Sequence, residues 1–169
     1  MKVALISVFG ILVIALAILG VMGSKIQEIE TEIEISAPPE KVWEALMDID
    51  AWHTWSPIIN SSSGAATIGS TLQMTMAGKA PGTDGPSYSP KIVELNKPFL
   101  FRWRAHMMAG FIMTNDKIFE LEATPAGTRL IHKELFKGLL APIFCSKMEE
   151  GVPPMLNSMN QALKELVEK

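Results

Sequence analysis

M-E-E-G-V-P-P-M-L-N-S-M-N-Q-A-L-K-E-L-V, at residues 148–167, has the apolar period of an amphipathic helix. One side of this helix carries Met148, Val152, Met155, Leu156, Met159, Leu163 and Leu166, and the other carries Glu149, Asn157, Asn160, Lys164 and Glu165. Pro153 and Pro154 forbid an unbroken helix, so the main helix either begins at this pair or is kinked there. The stretch therefore predicts a long helix whose apolar face must be covered by another element.

The chain before this helix alternates polar and apolar residues in short runs, which is typical of strands. Strands are predicted at residues 31–35, 71–76, 91–95, 99–106, 113–123 and 128–137. The turns N-K-P at 96–98 and T-P-A-G at 124–127 are too short to hold a helix, so successive strands should pair antiparallel. S-A-P-P-E at 36–40 predicts the start of a short helix ending near residues 48–50, and the Gly/Pro-rich residues 77–89 predict a loop.

These elements predict an α+β fold in which a curved antiparallel sheet wraps around the long C-terminal helix. This packing covers both the apolar face of the sheet and the apolar side of the helix. Because a curved sheet cannot touch a straight helix along its whole length, we expect a cavity between them.

The N-terminal segment at residues 3–22 holds no charged side chain. It is as long as the roughly 20 apolar residues that span a bilayer, whereas the apolar core of a signal peptide usually has about 7–15. We therefore expect residues 1–24 to be a membrane anchor formed by one transmembrane helix, with a cleaved signal peptide as the alternative, and residues 25–169 to be one domain. Lys2 and the terminal amine favour a cytoplasmic N-terminus, which would place the domain on the non-cytoplasmic side of a single-pass protein.

Four stretches of the chain resemble successive signatures of the START-like, or SRPBCC, superfamily, and most of all its polyketide cyclase/dehydrase and lipid-transport branch. They are I-E-I-S-A-P-P-E-K-V-W-E-A-L (33–46), D-A-W-H-T-W-S-P (50–57), I-V-E-L-N-K-P-F-L-F-R-W-R (92–104) and F-E-L-E-A-T-P-A-G-T-R-L-I-H-K-E-L-F-K-G-L-L (119–140). The resemblance implies a helix-grip fold with a hydrophobic ligand cavity, so that residues 25–169 would be a START-like ligand-binding domain. In the W-x-x-W-x-P signature His53 occupies a variable position, so we expect it to face solvent. Trp52 and Trp55 would wedge the junction between helix and strand, with Trp55 reaching the end of the cavity.

Two ionisable residues fall on the apolar side of the predicted strand 128–137. His132 and Glu134 share a face with Leu130 and Phe136, and residues two apart on a strand lie about 7 Å apart. Since unpaired polar groups are costly to bury, each residue needs a partner in the protein or in a ligand. The pair would hold the polar end of a ligand, act as an acid/base pair, or satisfy itself as a structural pair.

The predicted ligand-binding residues line both walls of the cavity. The sheet wall holds Leu72, Met74, Met76, Phe101, Trp103, Phe119 and Leu121, the helix wall holds Met155 and Met159, Trp55 lies at one end, and His132 with Glu134 forms the polar end. Methionine adapts to irregular apolar space, so its presence on both walls favours a plastic pocket.

Other chemistries find little support in the sequence. His53, His106 and His132 lack metal-ligand spacing, Cys145 has no identifiable base beside it, and no nucleotide-cofactor motif is present. A net charge of −3 with scattered Lys and Arg gives no footprint for nucleic acid. We assign no metal, cofactor or catalytic residue.

Three hypotheses follow for the function. The leading one is a membrane-anchored protein, held through residues 3–22, that binds a small hydrophobic or amphipathic molecule such as a lipid, isoprenoid or polyketide-like compound. The second is a cyclase, dehydratase or isomerase that uses His132 and Glu134 as acid and base. The third is a protein-interaction module, for an unknown partner, whose interior is packed solid with side chains.

Overall fold

The computed structural model describes residues 25–107 and 109–169, and before them residues 9, 10, 13, 14, 17, 20, 21 and 23. Most of the proposed membrane segment 3–22 therefore lies outside the described residues, and the anchor stays a prediction. Within the described part of the chain, no helix combines the length and apolar character that crossing a bilayer requires.

Eight strands and three α-helices form the domain. In chain order they are β1 (Gln27–Ile35), α1 (Pro39–Met47), a 3-10 turn (Ile49–Ala51), α2 (Trp52–Trp55), β2 (Ile59–Ser63), β3 (Gln73–Ala77), β4 (Asp84–Tyr88), β5 (Lys91–Asn96), β6 (Leu100–His106), β7 (Thr114–Thr124), β8 (Gly127–Lys137) and α3 (Ala141–Val167). Strands pair antiparallel in a five-stranded sheet of order β1-β8-β7-β6-β5 and a three-stranded sheet of order β2-β3-β4. The predicted antiparallel α+β architecture is confirmed.

The long C-terminal helix begins at Ala141, before the segment that predicted it, and it passes through Pro153 and Pro154. It runs alongside β1 in the same direction. Cys145 Sγ lies 3.2 Å from Gln27 Oε1, Asn160 Nδ2 donates to Thr31 Oγ1 at 3.0 Å, and the Ser36 amide donates to Glu168 Oε1 at 2.6 Å. This is the helix-grip arrangement that the resemblance implies.

Two strands, β2 and β4, were not predicted from the sequence, and β4 shows that the loop predicted at residues 77–89 was partly wrong. Residues 77–89 are not all loop, because β4 lies within them and pairs with β3. Pro86 is tolerated there because β4 is an edge strand, where a missing amide donor costs no ladder hydrogen bond. The other missed strand, β2, is largely polar and shows no clear alternation. The result is a second small sheet where one continuous sheet was expected.

The buried apolar side chains form two clusters. The main core gathers α1, α2, β3, β5 to β8 and the end of α3, and contains Trp52, Phe101, Phe119, Met159 and Leu163 among others. The second cluster contains Ile29, Met113, Phe136, Ala141, Met148 and Leu156, and it lies under the first half of α3. Helix α3 therefore packs on different apolar partners along its length.

Candidate functional site

A cavity of about 500 Å³ lies between the inner face of the five-stranded sheet, the β3–β4 hairpin and the first half of α3. It is lined by Trp103, Ala105, His106, Met107, Met113, Asn115, Lys117, Glu134 and Phe136 from the large sheet and its loop, by Met76, Pro86, Ser87, Tyr88 and Ser89 from the hairpin, and by Met148, Val152 and Met155 from α3. Pro86, Ser87, Ser89, His106 and Met107 are exposed, so they mark its mouth. The expected gap between sheet and helix is present.

Only part of the predicted ligand-binding set lines this cavity. Met76, Trp103, Glu134 and Met155 do. Leu72, Met74, Phe101, Phe119, Leu121, His132 and Met159 are buried outside its lining, and Trp55 is half-buried against the main core. The gap therefore occupies one half of the space between sheet and helix.

The other half is filled by Trp52, the first tryptophan of W-H-T-W-S-P. Trp52 is 1% exposed, its ring makes edge contacts with Phe101 and Phe119 at centroid distances of 6.2 Å and 5.8 Å, and its Nε1 donates to the Leu46 carbonyl at 3.1 Å. Trp52 is thus the more deeply buried of the two tryptophans, whereas Trp55, which was expected to reach the end of the cavity, is half-buried outside its lining. His53 is exposed, as expected.

A buried ion pair forms the polar floor of the cavity. Lys117 Nζ lies 2.7 Å from Glu134 Oε1, and these side chains are only 4% and 6% exposed. Asn115 Nδ2 donates to the second oxygen, Glu134 Oε2, at 3.2 Å. The pairing follows from register, since Lys117 of β7 stands directly opposite Glu134 of β8. An ion pair that is so fully desolvated is stable only when additional hydrogen bonds of this kind satisfy its remaining polar atoms.

The floor presents hydrogen-bond donors that the protein does not use. Trp103 Nε1 is buried and lacks an acceptor in the part of the chain that the structure describes. Lys117 carries three N–H donors, and its Nζ lies 5.8 Å from the centre of the Trp103 ring. Burial, and then the negative charge of Glu134, raise the pKa of Tyr88 far above its ordinary value, so its hydroxyl stays protonated and able to donate. Together these groups favour a ligand that carries an oxygen acceptor.

His132 lies outside the cavity lining and belongs to a separate hydrogen-bond network. Its Nδ1 lies 2.7 Å from Asn160 Oδ1, and its ring stacks on Phe119 at 4.2 Å between centroids. Since Asn160 Nδ2 donates to Thr31 Oγ1, Asn160 Oδ1 is the acceptor and His132 Nδ1 the donor. His132 Nε2 is then a lone-pair acceptor, buried without a partner among the described residues. His132 and Glu134 share a face, as predicted, but each has its own partners.

The stability of the fold should depend on the neutral state of His132. Complete burial, and then the positive charge of Lys117, lower the pKa of His132 well below its ordinary value of 6.5. Below pH 6.5 His132 is protonated in the unfolded chain but stays neutral in the folded chain. The free energy of unfolding should therefore fall by up to about 1.4 kcal/mol for each unit by which the pH is lowered. The stabilisation that depends on neutral His132 is fully present above pH 6.5 and is lost as the pH falls towards the lowered pKa of His132 in the folded protein. Urea unfolding at a series of pH values measures this slope.

Matched variants separate His132 from the other titrating groups. His132→Gln should flatten the slope just below pH 6.5, whereas His53→Gln, on an exposed histidine, should leave it unchanged. An equal slope in wild type and His132→Gln would contradict the assignment.

Lys117, Asn115 and Tyr88 line the cavity but were not predicted from the sequence. The first two were detectable, because extending the period-two pattern backwards from Phe119 and Leu121 places both on the inner face of β7. Tyr88 was not, because it lies in β4, inside the predicted loop. Arg129 and Lys133 lie on the outer face of β8, where they pair with glutamates such as Glu32 and Glu120.

Several solved structures share this fold. A protein from Nitrosomonas europaea aligns with a TM-score of 0.68 at 17% identity, covering 84% of this chain and 94% of its own. The Zhui aromatase/cyclase from Streptomyces sp. R1128 aligns with a TM-score of 0.66 at 16% identity, covering 85% and 94%. Norcoclaurine synthase from Thalictrum flavum, a point mutant in complex with a transition-state analogue, aligns with a TM-score of 0.65 at 14% identity, covering 85% and 95%. At these identities the likeness shows the fold alone.

At the level of sequence, a search among curated proteins finds no match. The family model described as polyketide cyclase/dehydrase and lipid transport matches residues 27–168, from the first residue of β1 to one residue beyond the end of α3. The structure shows the antiparallel sheet, the long C-terminal helix packed against it and a partly apolar cavity between them. The chain therefore belongs to the polyketide cyclase/dehydrase and lipid-transport family of the START-like superfamily.

Proposed function

We propose that the domain binds a small amphipathic molecule, of the lipid, isoprenoid or polyketide-like class, in the cavity beside α3. The oxygen-bearing end of this ligand faces Lys117, Trp103 Nε1 and the Tyr88 hydroxyl, and its apolar part lies against Met113, Phe136 and the first half of α3. The observation that carries the proposal is the buried donor of Trp103, which lacks an acceptor among the described residues, on a cavity floor beside a charged pair.

The size of the cavity supports this proposal. Its volume of about 500 Å³ falls within the range of roughly 300–1,000 Å³ that ligand pockets usually have. Apolar walls with a few convergent polar groups are also what such pockets share. The interaction-module hypothesis expected an interior packed solid with side chains, so the open cavity favours ligand binding over it.

We also propose that residues 3–22 hold the domain at a membrane, with the domain on the non-cytoplasmic side. The support is the uncharged sequence of this segment and its length.

A second candidate function is acid/base chemistry on the bound molecule. It is favoured by the 2.7 Å contact between Lys117 Nζ and Glu134 Oε1 on the cavity floor, where the polar end of a ligand would lie. The acid and base would then be Lys117 and Glu134, since His132 lies outside the cavity lining. One structural relative is described as an aromatase/cyclase, which makes a ring-forming reaction the activity to look for.

Ligand extraction tests the proposal. The full-length protein, purified in a mild detergent and examined by native mass spectrometry, should retain a small molecule that solvent extraction releases for identification. Val152→Trp fills the cavity from α3 and should reduce the retained ligand at least tenfold. Asn157→Trp, on the exposed side of the same helix, should retain it fully.

The outcomes of this experiment discriminate between the candidates. A wild-type cavity that is consistently empty, or equal retention by both variants, would contradict the binding proposal. A released molecule that the protein converts to a second compound, with conversion lost in Glu134→Gln and binding retained, would favour the acid/base function.

A further inference from the structure

The end of the domain where α3 begins carries a group of exposed apolar side chains. Met107 and Phe111, in the loop between β6 and β7, are 49% and 74% exposed, and Ile143 and Phe144, in the first turn of α3, are 56% and 38% exposed. We call these four residues the apolar rim. Large apolar side chains gathered on a surface mark a site of interaction with a protein or a membrane.

Backbone hydrogen bonds hold the two halves of the apolar rim together. The Leu139 amide donates to the Phe111 carbonyl at 3.2 Å, and the Leu140 amide donates to the Ile112 carbonyl at 3.0 Å. These bonds tie the β6–β7 loop to the two residues that precede α3, so the two halves of the apolar rim lie at the same end of the domain. Met107 belongs both to this surface and to the cavity lining, so the apolar rim borders the mouth of the cavity.

The uncharged segment at residues 3–22 joins the domain at the same end. The Gly138 amide, directly after β8, donates to the Gly23 carbonyl at 3.0 Å. A Cβ at Gly23 would lie 2.5 Å from the Gly138 carbonyl oxygen, so the chain passes too close there for any larger residue. This contact places Gly23, the residue directly after the uncharged segment, beside the start of the loop that leads into α3.

Charge on this end also suits a lipid surface. Lys25, Lys137 and Lys147 are exposed. Lys25 follows the N-terminal segment, Lys137 is the last residue of β8, and Lys147 follows the first turn of α3. Basic side chains beside apolar ones are the combination that binds the interface of an anionic bilayer.

We infer that the apolar rim inserts into the surface of a lipid bilayer, so that the mouth of the cavity faces the membrane. The bilayer is favoured over a protein partner because the segment that leads into the domain beside this surface is itself uncharged and long enough to enter lipid. The rim then supplies the route by which a membrane-dissolved molecule enters the cavity, a consequence that rests on the proposed function.

Site-specific fluorescence in the full-length protein tests this inference. In a Cys145→Ser background, which removes the one native cysteine, Phe111→Cys is labelled with an environment-sensitive fluorophore. The protein is reconstituted into vesicles of phosphatidylcholine and phosphatidylglycerol. The matched control is Phe99→Cys, an exposed phenylalanine beyond the opposite end of β6.

The label at position 111 should shift to shorter emission wavelength and be quenched at least twofold by lipids brominated on the acyl chain, while the label at position 99 should do neither. Equal behaviour of the two labels would overturn the inference. A shift at position 111 without quenching would assign the rim to a protein partner or a second copy, and would also overturn it. Because this readout does not require an occupied cavity, its failure is distinguishable from failure of the ligand-binding proposal.

Discussion

Lys117→Met should lower the free energy of unfolding by about 3–5 kcal/mol, because it leaves the Glu134 carboxylate buried beneath the sheet without its counter-charge. Glu134→Met should lower the free energy of unfolding by a similar amount, because it leaves the Lys117 ammonium buried without a counter-charge. Each partner depends on the other because both side chains are almost fully removed from water. Equilibrium unfolding in urea, followed by tryptophan fluorescence, measures both values.

The double variant Lys117→Met/Glu134→Met shows whether the loss arises from the stranded charge. Two apolar side chains suit the cavity floor, so the double variant should be more stable than either single variant. Its free energy of unfolding should be about 1 kcal/mol below that of the wild type, because the side-chain amide of Asn115 no longer has an acceptor.

Lys133→Met is the matched control for the ion pair. Lys133 Nζ contacts Glu30 and Glu120 at 3.2 Å and 3.1 Å on the outer face of the same sheet, where side chains reach water. This change should cost less than about 1 kcal/mol. Equal losses for Lys117→Met and Lys133→Met would show that the buried pair has no special role.

Trp52→Ala should lower the free energy of unfolding by about 3–5 kcal/mol, which is the range for removing a large aromatic side chain from a core. The indole fills the space between α2 and the sheet that would otherwise extend the cavity, and its loss also leaves the Leu46 carbonyl without its donor. Trp55→Ala, in the same motif but half-buried, should cost about 1 kcal/mol. Thermal unfolding of the two variants side by side measures the difference, and a larger loss at Trp55 would reverse the roles assigned to the pair.

The sequence predicted the fold well where one periodic pattern governs a whole element. Alternation is clear in β6 and in most of β8, where one face lies in the core, and α3 carries an apolar stripe on both sides of its prolines. Strand β4 was hidden because D-G-P-S-Y has turn composition, and its edge position removes the constraints that normally exclude Pro and Gly. The first turns of α3 were hidden because A-P-I-F-C-S-K lacks the stripe.

The candidate site was less predictable, because its position depends on how far Trp52 reaches. Alternation identifies which residues face inward, but it cannot say which inward residues meet a neighbouring side chain and which meet empty space. Phe101 and Trp103 follow the same pattern on β6, yet Phe101 packs under Trp52 and Trp103 lines the cavity. The register that opposes Lys117 to Glu134 likewise arises only once β7 and β8 are paired.

The division of the apolar interior into two clusters places the main core and most of the cavity against different parts of α3. The end of α3 secures the main core through Met159 and Leu163, while Met148 and Val152 face the cavity on the other side of Pro153 and Pro154. Neither proline can donate the backbone hydrogen bond that would tie these halves into one uniform helix. Substitutions at Val152, which lines the cavity and lies outside the main core, can therefore reshape the cavity while the packing around Trp52 and Met159 stays intact.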